Sequence, residues 1–388
     1  MATITSKTIF IQKLISNFAG PTPLKRVESL INAVSVRRFA DKKVSSIKSA
    51  VIKEFNQPLI IETSENSVPL KKGQVRIGVH CCAVNVADHL LWTGLSETKP
   101  KLPFVAGFEI SGEILEVAPK AEHSADSESE DEDELRVGDR VLALNKVHLG
   151  GFSSECIVDY KDVFPIPPSI NYKTAAALAD SYGTAMLGLA RRARVQQNEV
   201  VLITAAAGGL GLAAVDIAAN VYKTKVIGIC GTEDKSTLVR EKGAWTAFSF
   251  RNDKIVKGEV DKISEGKGVD VVFEAVGGEV FKSALECVRA EGKVIVAGFT
   301  SRDMTQLTLA DIIQLPSFSL IGVSLFNYRN KMLPVYRRTI LDVIDLCDQG
   351  MISPVIAEVF PLDNVNDALH SISQKKTTGK VILEIVPF

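Results

Sequence analysis

The chain has 388 residues, of which 46% are hydrophobic and 23% charged, and its 45 basic residues nearly balance 46 acidic ones. This length allows two domains that each have a core. The near-neutral charge gives no indication of a nucleic-acid-binding protein, and no apolar run approaches the roughly 20 residues of a membrane-spanning helix. Six scattered cysteines without a CxxC pair are typical of reduced, buried thiols rather than of a disulfide framework or a zinc lobe.

The first 47 residues are rich in Ser, Thr, Lys and Arg and contain only two acids. Apolar residues between Ile11 and Phe18 fall on one helical face. Further on, Arg37 stands two residues before Phe39 in "VRRFADKK". This pattern predicts a mitochondrial presequence that is cleaved after Phe39, and therefore a protein of the mitochondrial matrix. A disordered N-terminal tail is the alternative interpretation.

Residues 48–171 are predicted to form a β-rich unit, because short β-like runs such as "KSAVIKEF" and "GQVRIGVHCCAVN" are separated by turns rich in Gly and Pro. Residues 121–134, "AEHSADSESEDEDE", interrupt this unit with acids and serines and contain no large apolar residue. They predict a solvated, disordered surface loop. A metal-binding or phospho-regulated loop is the alternative.

Residues 172–317 have a different character, since apolar strands now alternate with helical stretches. This alternation predicts a doubly wound parallel sheet. The tail, residues 318–388, returns to β runs ("SLIGVSLF", "AEVFPL", "KVILEIV") around one helix. We expect this tail to rejoin the first β unit.

A glycine turn follows the apolar run "VVLI" and precedes a helix of small residues. In the stretch "ITAAAGGLGLAAVDIAA" the dinucleotide fingerprint is Ala206-x-Gly208-x-x-Gly211. Gly208 lets backbone N–H groups approach a pyrophosphate, and Gly211 lets helix and strand pack closely. The turn, including Gly209 and Leu210, therefore predicts dinucleotide binding.

The end of the second strand, "KVIGIC", selects the dinucleotide. An NAD site places an acid there to bind the ribose 2′-hydroxyl, whereas this chain has Cys230. A neutral strand end followed by Thr232 and Lys235 favours the 2′-phosphate of NADPH. The neighbouring acids Glu233 and Asp234 argue against this preference unless their side chains face solvent.

Residues 49 to 388 resemble the medium-chain dehydrogenase/reductase superfamily, in its zinc-free quinone oxidoreductase branch. The resemblance lies in "AVNVADHLLWTG", "LPFVAGFEISGEI", "VGDRVLAL", "VLITAAAGGLGLAAVDIA", "VDVVFEAVGG" and "TTGKVILEI". It implies an α/β fold in which a GroES-like β-rich domain is closed by the C-terminal segment and a Rossmann domain is inserted. It also implies a homodimer whose Rossmann sheets join edge to edge through "SFSLIGVSLF".

Zinc-dependent relatives carry a Cys in the segment where this chain has Asn85, and Gly-His-Glu where it has Gly107-Phe108-Glu109. Their four-cysteine lobe falls where this chain has the acidic loop. Phe cannot ligate a metal and Asn is a poor zinc ligand. The residues therefore predict a protein without a metal site, and alcohol dehydrogenation, which needs a Lewis acid, is disfavoured.

The predicted activity is a zinc-independent, NADPH-dependent reduction of a small molecule, either a quinone or an α,β-unsaturated carbonyl. The resemblance places Asn85 and Asp88 at the nicotinamide pocket, where they act in catalysis or brace the loop. The Asn85 amide is suited to donate a hydrogen bond to a carbonyl oxygen on which negative charge develops. The resemblance also assigns to the cofactor Thr184, Gly277, Phe299, Asn327 and Lys380, the last of these to a phosphate.

Three other functions are known in the superfamily, and the residues support them to different degrees. Enoyl-thioester reductases of the superfamily have a Tyr proton donor where this chain has Ser96, a much poorer acid, so that activity is disfavoured. A cofactor-binding protein without turnover, as among crystallin-like and vesicle-associated relatives, stays open. RNA binding is not supported, because no basic stripe lies outside the predicted presequence.

Overall fold

Residues 46–65, 67–97, 99–119, 134–250, 253–301, 303, 308–374 and 377–385 are described by a computed structural model. The predicted presequence 1–47, apart from its last two residues, and the predicted acidic loop 121–134, apart from Glu134, lie outside the described residues. Both predictions therefore stay predictions.

The N-terminal part of the described chain is the expected β unit. Its elements are β1 (Ile47–Ile52), β2 (Ile60–Ser64), β3 (Gln74–Val84), α1 (Val86–Trp92), β4 (Phe104–Val105), β5 (Glu109–Val117), β6 (Arg140–Leu144), β7 (Glu155–Asp159) and β8 (Val163–Pro165). The longest strand, β3, pairs antiparallel with β5 and β7. Apolar side chains of these strands are buried in one cluster, as expected of strands that turn one face to a core.

The central part is the expected doubly wound unit. Its strands are β9 (Val200–Ile203), β10 (Lys225–Cys230), β11 (Thr246–Ser249), β12 (Val269–Glu274), β13 (Val288–Val296) and β14 (Ser319–Gly322). Its helices are α2 (Tyr172–Ala176), α3 (Ala179–Met186), α4 (Gly209–Asp216), α5 (Glu233–Glu241), α6 (Asp253–Ser264), α7 (Gly278–Leu285) and α8 (Leu309–Gln314). The strands are parallel in the order β11-β10-β9-β12-β13-β14, so the strand order reverses between β9 and β12. Ligands of such sheets bind at this switch point, beyond the carboxyl ends of the strands.

The C-terminal part returns the chain to the β unit. It consists of α9 (Leu325–Lys331), α10 (Leu333–Asp348), β15 (Ile356–Pro361), α11 (Val365–Ser373) and β16 (Lys380–Glu384). β16 pairs with β3, which closes the GroES-like sheet. Just before β16, Gly379 donates its N–H to the carbonyl of Ala207 at 3.0 Å. The closing segment thus crosses the glycine turn between the two units.

The structure corrects one part of the predicted topology. The run "SLIGV" was assigned with residues 318–388 to the β unit, but β14 pairs parallel with β13 in the Rossmann sheet. The reason is that α8 forms one more crossover, and a crossover returns a strand parallel to its predecessor. The Rossmann unit therefore extends to about residue 322, whereas β15 and β16 join the GroES-like sheet as predicted.

Candidate cofactor and catalytic site

The glycine turn joins β9 to α4 at the switch point of the sheet. A Cβ on Gly211 would lie 2.1 Å from the carbonyl oxygen of Ala205, so only glycine allows this packing of helix against strand. In front of Gly208 a Cβ would meet only that same oxygen, at 3.4 Å. The first N–H groups of a helix have no partner within it. The first turn of α4, which starts with Gly209 and Leu210, therefore fits a pyrophosphate.

The structure places the predicted 2′-phosphate residues at the next strand end. Cys230 ends β10 and is 2% exposed, so no carboxylate stands at this position. Thr232 is the exposed N-cap of α5. Lys235, in the first turn of that helix, donates to the carbonyl of Thr377 at 3.1 Å, and burial lowers its pKa. These residues lie at the right end of the sheet for the adenosine half of a dinucleotide.

The other predicted cofactor residues fall into two pairs. Gly277 has φ +82°, and a Cβ on it would lie 2.7 Å from the Phe299 ring, so the structure brings these two residues into contact. Thr184 is half-buried on α3, next to Gly183. A Cβ on Gly183 would lie 3.1 Å from Leu325 of α9, two residues before the exposed Asn327. The second pair, Thr184 and Asn327, is thus carried by two helices that pack together, α3 and α9.

Asn85 is held by two buried charged side chains. Lys380 donates to its Oδ1 at 2.6 Å, and its Nδ2 donates to Glu109 Oε2 at 3.1 Å. Lys380 and Glu109 form an ion pair of 2.6 Å, and they are only 5% and 1% exposed. The Lys380 stem crosses the glycine turn, since a Cβ on Gly209 would lie 2.8 Å from its Cδ. The ammonium of Lys380 thus contacts Asn85 and Glu109. Its predicted contact with a phosphate stays a prediction.

Asp88, predicted with Asn85 to act in catalysis or to brace the loop, is bonded to the backbone on both sides. It is fully buried, and its two oxygens accept the N–H groups of Gly107 at 3.0 Å and of Asn85 at 2.8 Å. Burial raises the pKa of Asp88 to about 7, against the opposing effect of these two hydrogen bonds. Its oxygens therefore fix the loop in front of α1, and its catalytic role stays a prediction.

Two charged residues of the site were missed by the sequence analysis. Lys146 lies two residues after the end of β6, and its ammonium is 4.8 Å from the centre of the Phe108 ring. The same ammonium forms an ion pair with Asp180 Oδ1. The N–H of Asp180 donates to Glu109 Oε1 at 2.9 Å, which joins Lys146 to the Asn85 cluster. The sequence gives no local signal for either residue, and Lys146 is simply a lysine two residues after the apolar strand in "VLALNK".

The positions of the zinc ligands of relatives are occupied by other interactions. The Asn85 oxygen accepts from Lys380, and the Phe108 ring lies under Lys146. Within the described part of the chain, no group of three or more His, Cys, Asp or Glu residues is placed to hold a metal ion. In the same part, no helix is long and apolar enough to span a bilayer.

A cleft of about 1430 Å³ lies elsewhere, between residues 186–194, where α3 ends and the chain continues, and α10. Arg191, Arg194, Tyr222 and Asp342 contribute to its lining, and none of the predicted site residues does.

A GroES-like β unit, an inserted parallel sheet and a dinucleotide turn at its switch point together define an oxidoreductase of the medium-chain dehydrogenase/reductase class. Family models agree: the alcohol dehydrogenase GroES-like domain matches residues 71–168, and the zinc-binding dehydrogenase family matches residues 209–340.

Individual relatives identify the branch of this class. Quinone oxidoreductase-like protein 2 of Bos taurus is 36% identical over 87% of this chain and 92% of its own length. The homologue of that protein in Nematostella vectensis is 38% identical over 87% and 89%. A probable oxidoreductase from Mycobacterium abscessus has a TM-score of 0.75 at 26% identity over 88% of this chain and 99% of that chain. The chain therefore belongs to the quinone oxidoreductase family of the medium-chain dehydrogenases/reductases.

Proposed function

We propose that this protein is a zinc-independent, NADPH-dependent reductase of a quinone or an α,β-unsaturated carbonyl. The observation that carries the proposal is the position of the Asn85 amide. Lys380 and Glu109 orient this amide, and the Lys380 stem also crosses the glycine turn expected to hold the cofactor. Acceptor and dinucleotide would therefore meet at one junction between the two units. The quinone oxidoreductase names of the relatives support the acceptor class.

The chain's residues fit a nicotinamide dinucleotide. The first turn of α4 would bind the pyrophosphate, and Thr232 and Lys235 would bind the 2′-phosphate. When bound, this cofactor supplies the hydride. The protein has to orient the acceptor and exclude water. Asn85 keeps one amide N–H besides that donated to Glu109, and we assign it to the acceptor's oxygen.

Independence from zinc rests on the donor set of the site. Phe108 offers no ligand atom, and Asn85 Oδ1 already accepts from a buried ammonium. Elemental analysis of purified protein after dialysis against a chelator should find less than one zinc per chain. Stoichiometric zinc that resists dialysis would overturn this part of the proposal.

The test of the activity is NADPH oxidation by the purified protein with a panel of quinones and enones. We expect turnover with at least one acceptor and a preference for NADPH over NADH. Tight binding of NADPH without turnover of any acceptor would instead favour the cofactor-binding alternative. Failure to bind either dinucleotide would contradict both.

We further propose that the protein acts in the mitochondrial matrix, on the evidence of the amphipathic, acid-poor N-terminal sequence. The experiment compares the location in cells of the full chain and of a variant without residues 1–39, each carrying a C-terminal fluorescent tag. We expect mitochondrial location only for the full chain. Import of the truncated variant would contradict the proposal.

A further inference from the structure

The proposed reaction leaves one chemical requirement unfilled. When hydride reaches an enone or a quinone, negative charge develops on the acceptor's oxygen, and a donor has to stabilise and protonate it. Asn85 has a neutral amide, and Asp88 is fully buried with both oxygens bonded to the backbone. Ser96 is too weak an acid. A cationic side chain near Asn85 would meet this requirement.

Lys146 starts from a rigid position. The N–H of the preceding Asn145 donates to the carbonyl of Phe108 at 2.6 Å. The side chain of Asn145 donates to the carbonyl of Ile157 at 2.9 Å and contacts Cys156 Sγ at 3.2 Å. Asn145 itself is 1% exposed. The backbone that carries Lys146 is therefore fixed against both neighbouring segments.

The ammonium of Lys146 is held on two sides and accessible on another. The Phe108 ring lies under it and Asp180 pairs with it, and the side chain is still 28% exposed. It also lines a small cavity with Leu325 and Phe326, at the start of the helix that carries the predicted cofactor residue Asn327. An ammonium has three N–H donors, and a carboxylate partner and a ring face do not require all of them.

Lys146 and Asn85 belong to one connected arrangement. Phe108 lies under Lys146, and the next residue, Glu109, accepts from Asn85. The other oxygen of Glu109 accepts from the N–H of Asp180, the ion-pair partner of Lys146. The amide and the ammonium are thus connected through Glu109, which bonds to Asn85 directly and to the ion-pair partner of Lys146 through the N–H of Asp180.

Building on the proposed function, we propose that Lys146 is a catalytic residue whose ammonium binds and protonates the acceptor's oxygen. Hydride transfer moves two electrons and a hydrogen nucleus from the dinucleotide to the acceptor carbon, which leaves a negative charge on the acceptor's oxygen. One N–H bond of Lys146 breaks and one O–H bond forms, and a proton from water restores the ammonium. Overall, NADPH, one proton and the acceptor give NADP⁺ and the reduced acceptor. A side-chain cation thus supplies the charge that a metal ion supplies in zinc-dependent relatives.

The experiment has one readout that needs no turnover. 4-Nitrophenol, whose absorbance distinguishes the phenol from the phenolate, is titrated into the full chain without cofactor as a stand-in for the anionic oxygen. We expect the wild type to bind the phenolate at least about 10-fold more tightly than the phenol. Lys146→Met should abolish this preference, and Lys146→Arg should retain part of it. Equal affinity of the wild type for phenol and phenolate would overturn the proposal.

Kinetics provide the second readout. Loss of one oxyanion donor typically lowers kcat by about 10²- to 10³-fold, and we expect this for Lys146→Met with the Kd for NADPH within about twofold of wild type. The matched control is Lys48→Met, which removes another ion-paired lysine of similar exposure, the partner of Asp363, outside the site. Undiminished turnover of Lys146→Met would overturn the proposal. So would a loss of turnover that Lys48→Met shares.

The experiments distinguish a failure of this assignment from a failure of the variant to fold and from a failure of the proposed function. If Lys146→Met fails to fold, Lys146→Arg and Lys146→Gln take its place in the titration and in the kinetics. If the wild type turns over no acceptor, the proposed function fails. The nitrophenolate titration then still supports or overturns the assignment of the oxygen-binding role to Lys146.

Discussion

Lys380 and Glu109 form an ion pair of 2.6 Å in which both side chains are more than nine-tenths buried. Removing one member of a buried pair leaves the other charge without compensation, which typically costs 3–5 kcal/mol, whereas removing both is far milder. Lys380→Met should therefore lower the free energy of unfolding by about 3–5 kcal/mol. Adding Glu109→Gln should restore much of it.

Urea unfolding of the two variants measures this difference. Lys262→Met is the control, because its ion pair with Glu259 is exposed and such pairs contribute about 0–1 kcal/mol. A Lys380→Met chain as stable as wild type would contradict the buried pair.

The sequence predicted the glycine turn well because its requirements are local. A close approach of helix and strand demands glycine at Gly211 whatever surrounds it. Strand positions in the β unit were predictable for a similar reason, since apolar residues repeat in short runs between turns. Both features depend on neighbours in the chain.

What the sequence could not predict depends on residues far apart. Lys146 meets Asp180 only because β6 and α3 pack together, and neither residue belongs to a local pattern. β14 was predicted in the wrong sheet because a short apolar strand is compatible with either sheet. The helix before it, α8, determines that it pairs with β13. For Asp88 the sequence left two roles open, and it could not predict the full burial of this residue or its hydrogen bond to the N–H of Gly107.

Gly211→Ala should disrupt the dinucleotide turn. The new methyl group would lie 2.1 Å from the carbonyl oxygen of Ala205, so α4 has to move away from β9. We expect a loss of stability of about 1–3 kcal/mol together with loss of NADPH binding, measured by unfolding and by fluorescence titration. Gly258→Ala is the control, since a Cβ there meets open space within α6 and should stabilise the helix by up to about 1 kcal/mol. Intact NADPH affinity in Gly211→Ala would show that the cofactor binds elsewhere.

Asp88 should make the protein less stable as the pH rises. Its carboxyl keeps a proton up to about pH 7 in the folded chain, whereas the unfolded chain loses it near pH 3.9. Between these values the folded state binds one proton more. Its contribution to the free energy of unfolding therefore falls by about 1.4 kcal/mol per pH unit and levels off above pH 7. Unfolding at several pH values should show this decline in the wild type and not in Asp88→Asn. Parallel curves for the two chains would contradict it.

Lys235→Ala should reduce the preference for NADPH. Loss of one charge-assisted contact to the 2′-phosphate costs about 1.5–3 kcal/mol, which is roughly a 10- to 100-fold change in the NADPH/NADH affinity ratio. The Kd for each dinucleotide gives that ratio. Lys282→Ala, on the exposed face of α7, is the control. If the ratio is the same in Lys235→Ala and wild type, the 2′-phosphate is bound by other residues.

We propose that the protein is a homodimer joined through β14, and this predicts the effect of a charge on that strand. In the described part of the chain β14 is the last strand of the Rossmann sheet and pairs with β13 alone. It exposes half of the Leu320 side chain. An unpaired apolar edge favours association with another strand, and two copies related by a twofold axis bring the same residues close together. Leu320→Lys places like charges near that axis and should shift the dimer to monomers in light scattering at micromolar concentration. Val137→Lys, at another exposed apolar position, should leave the dimer intact. A monomeric wild type would contradict the proposal.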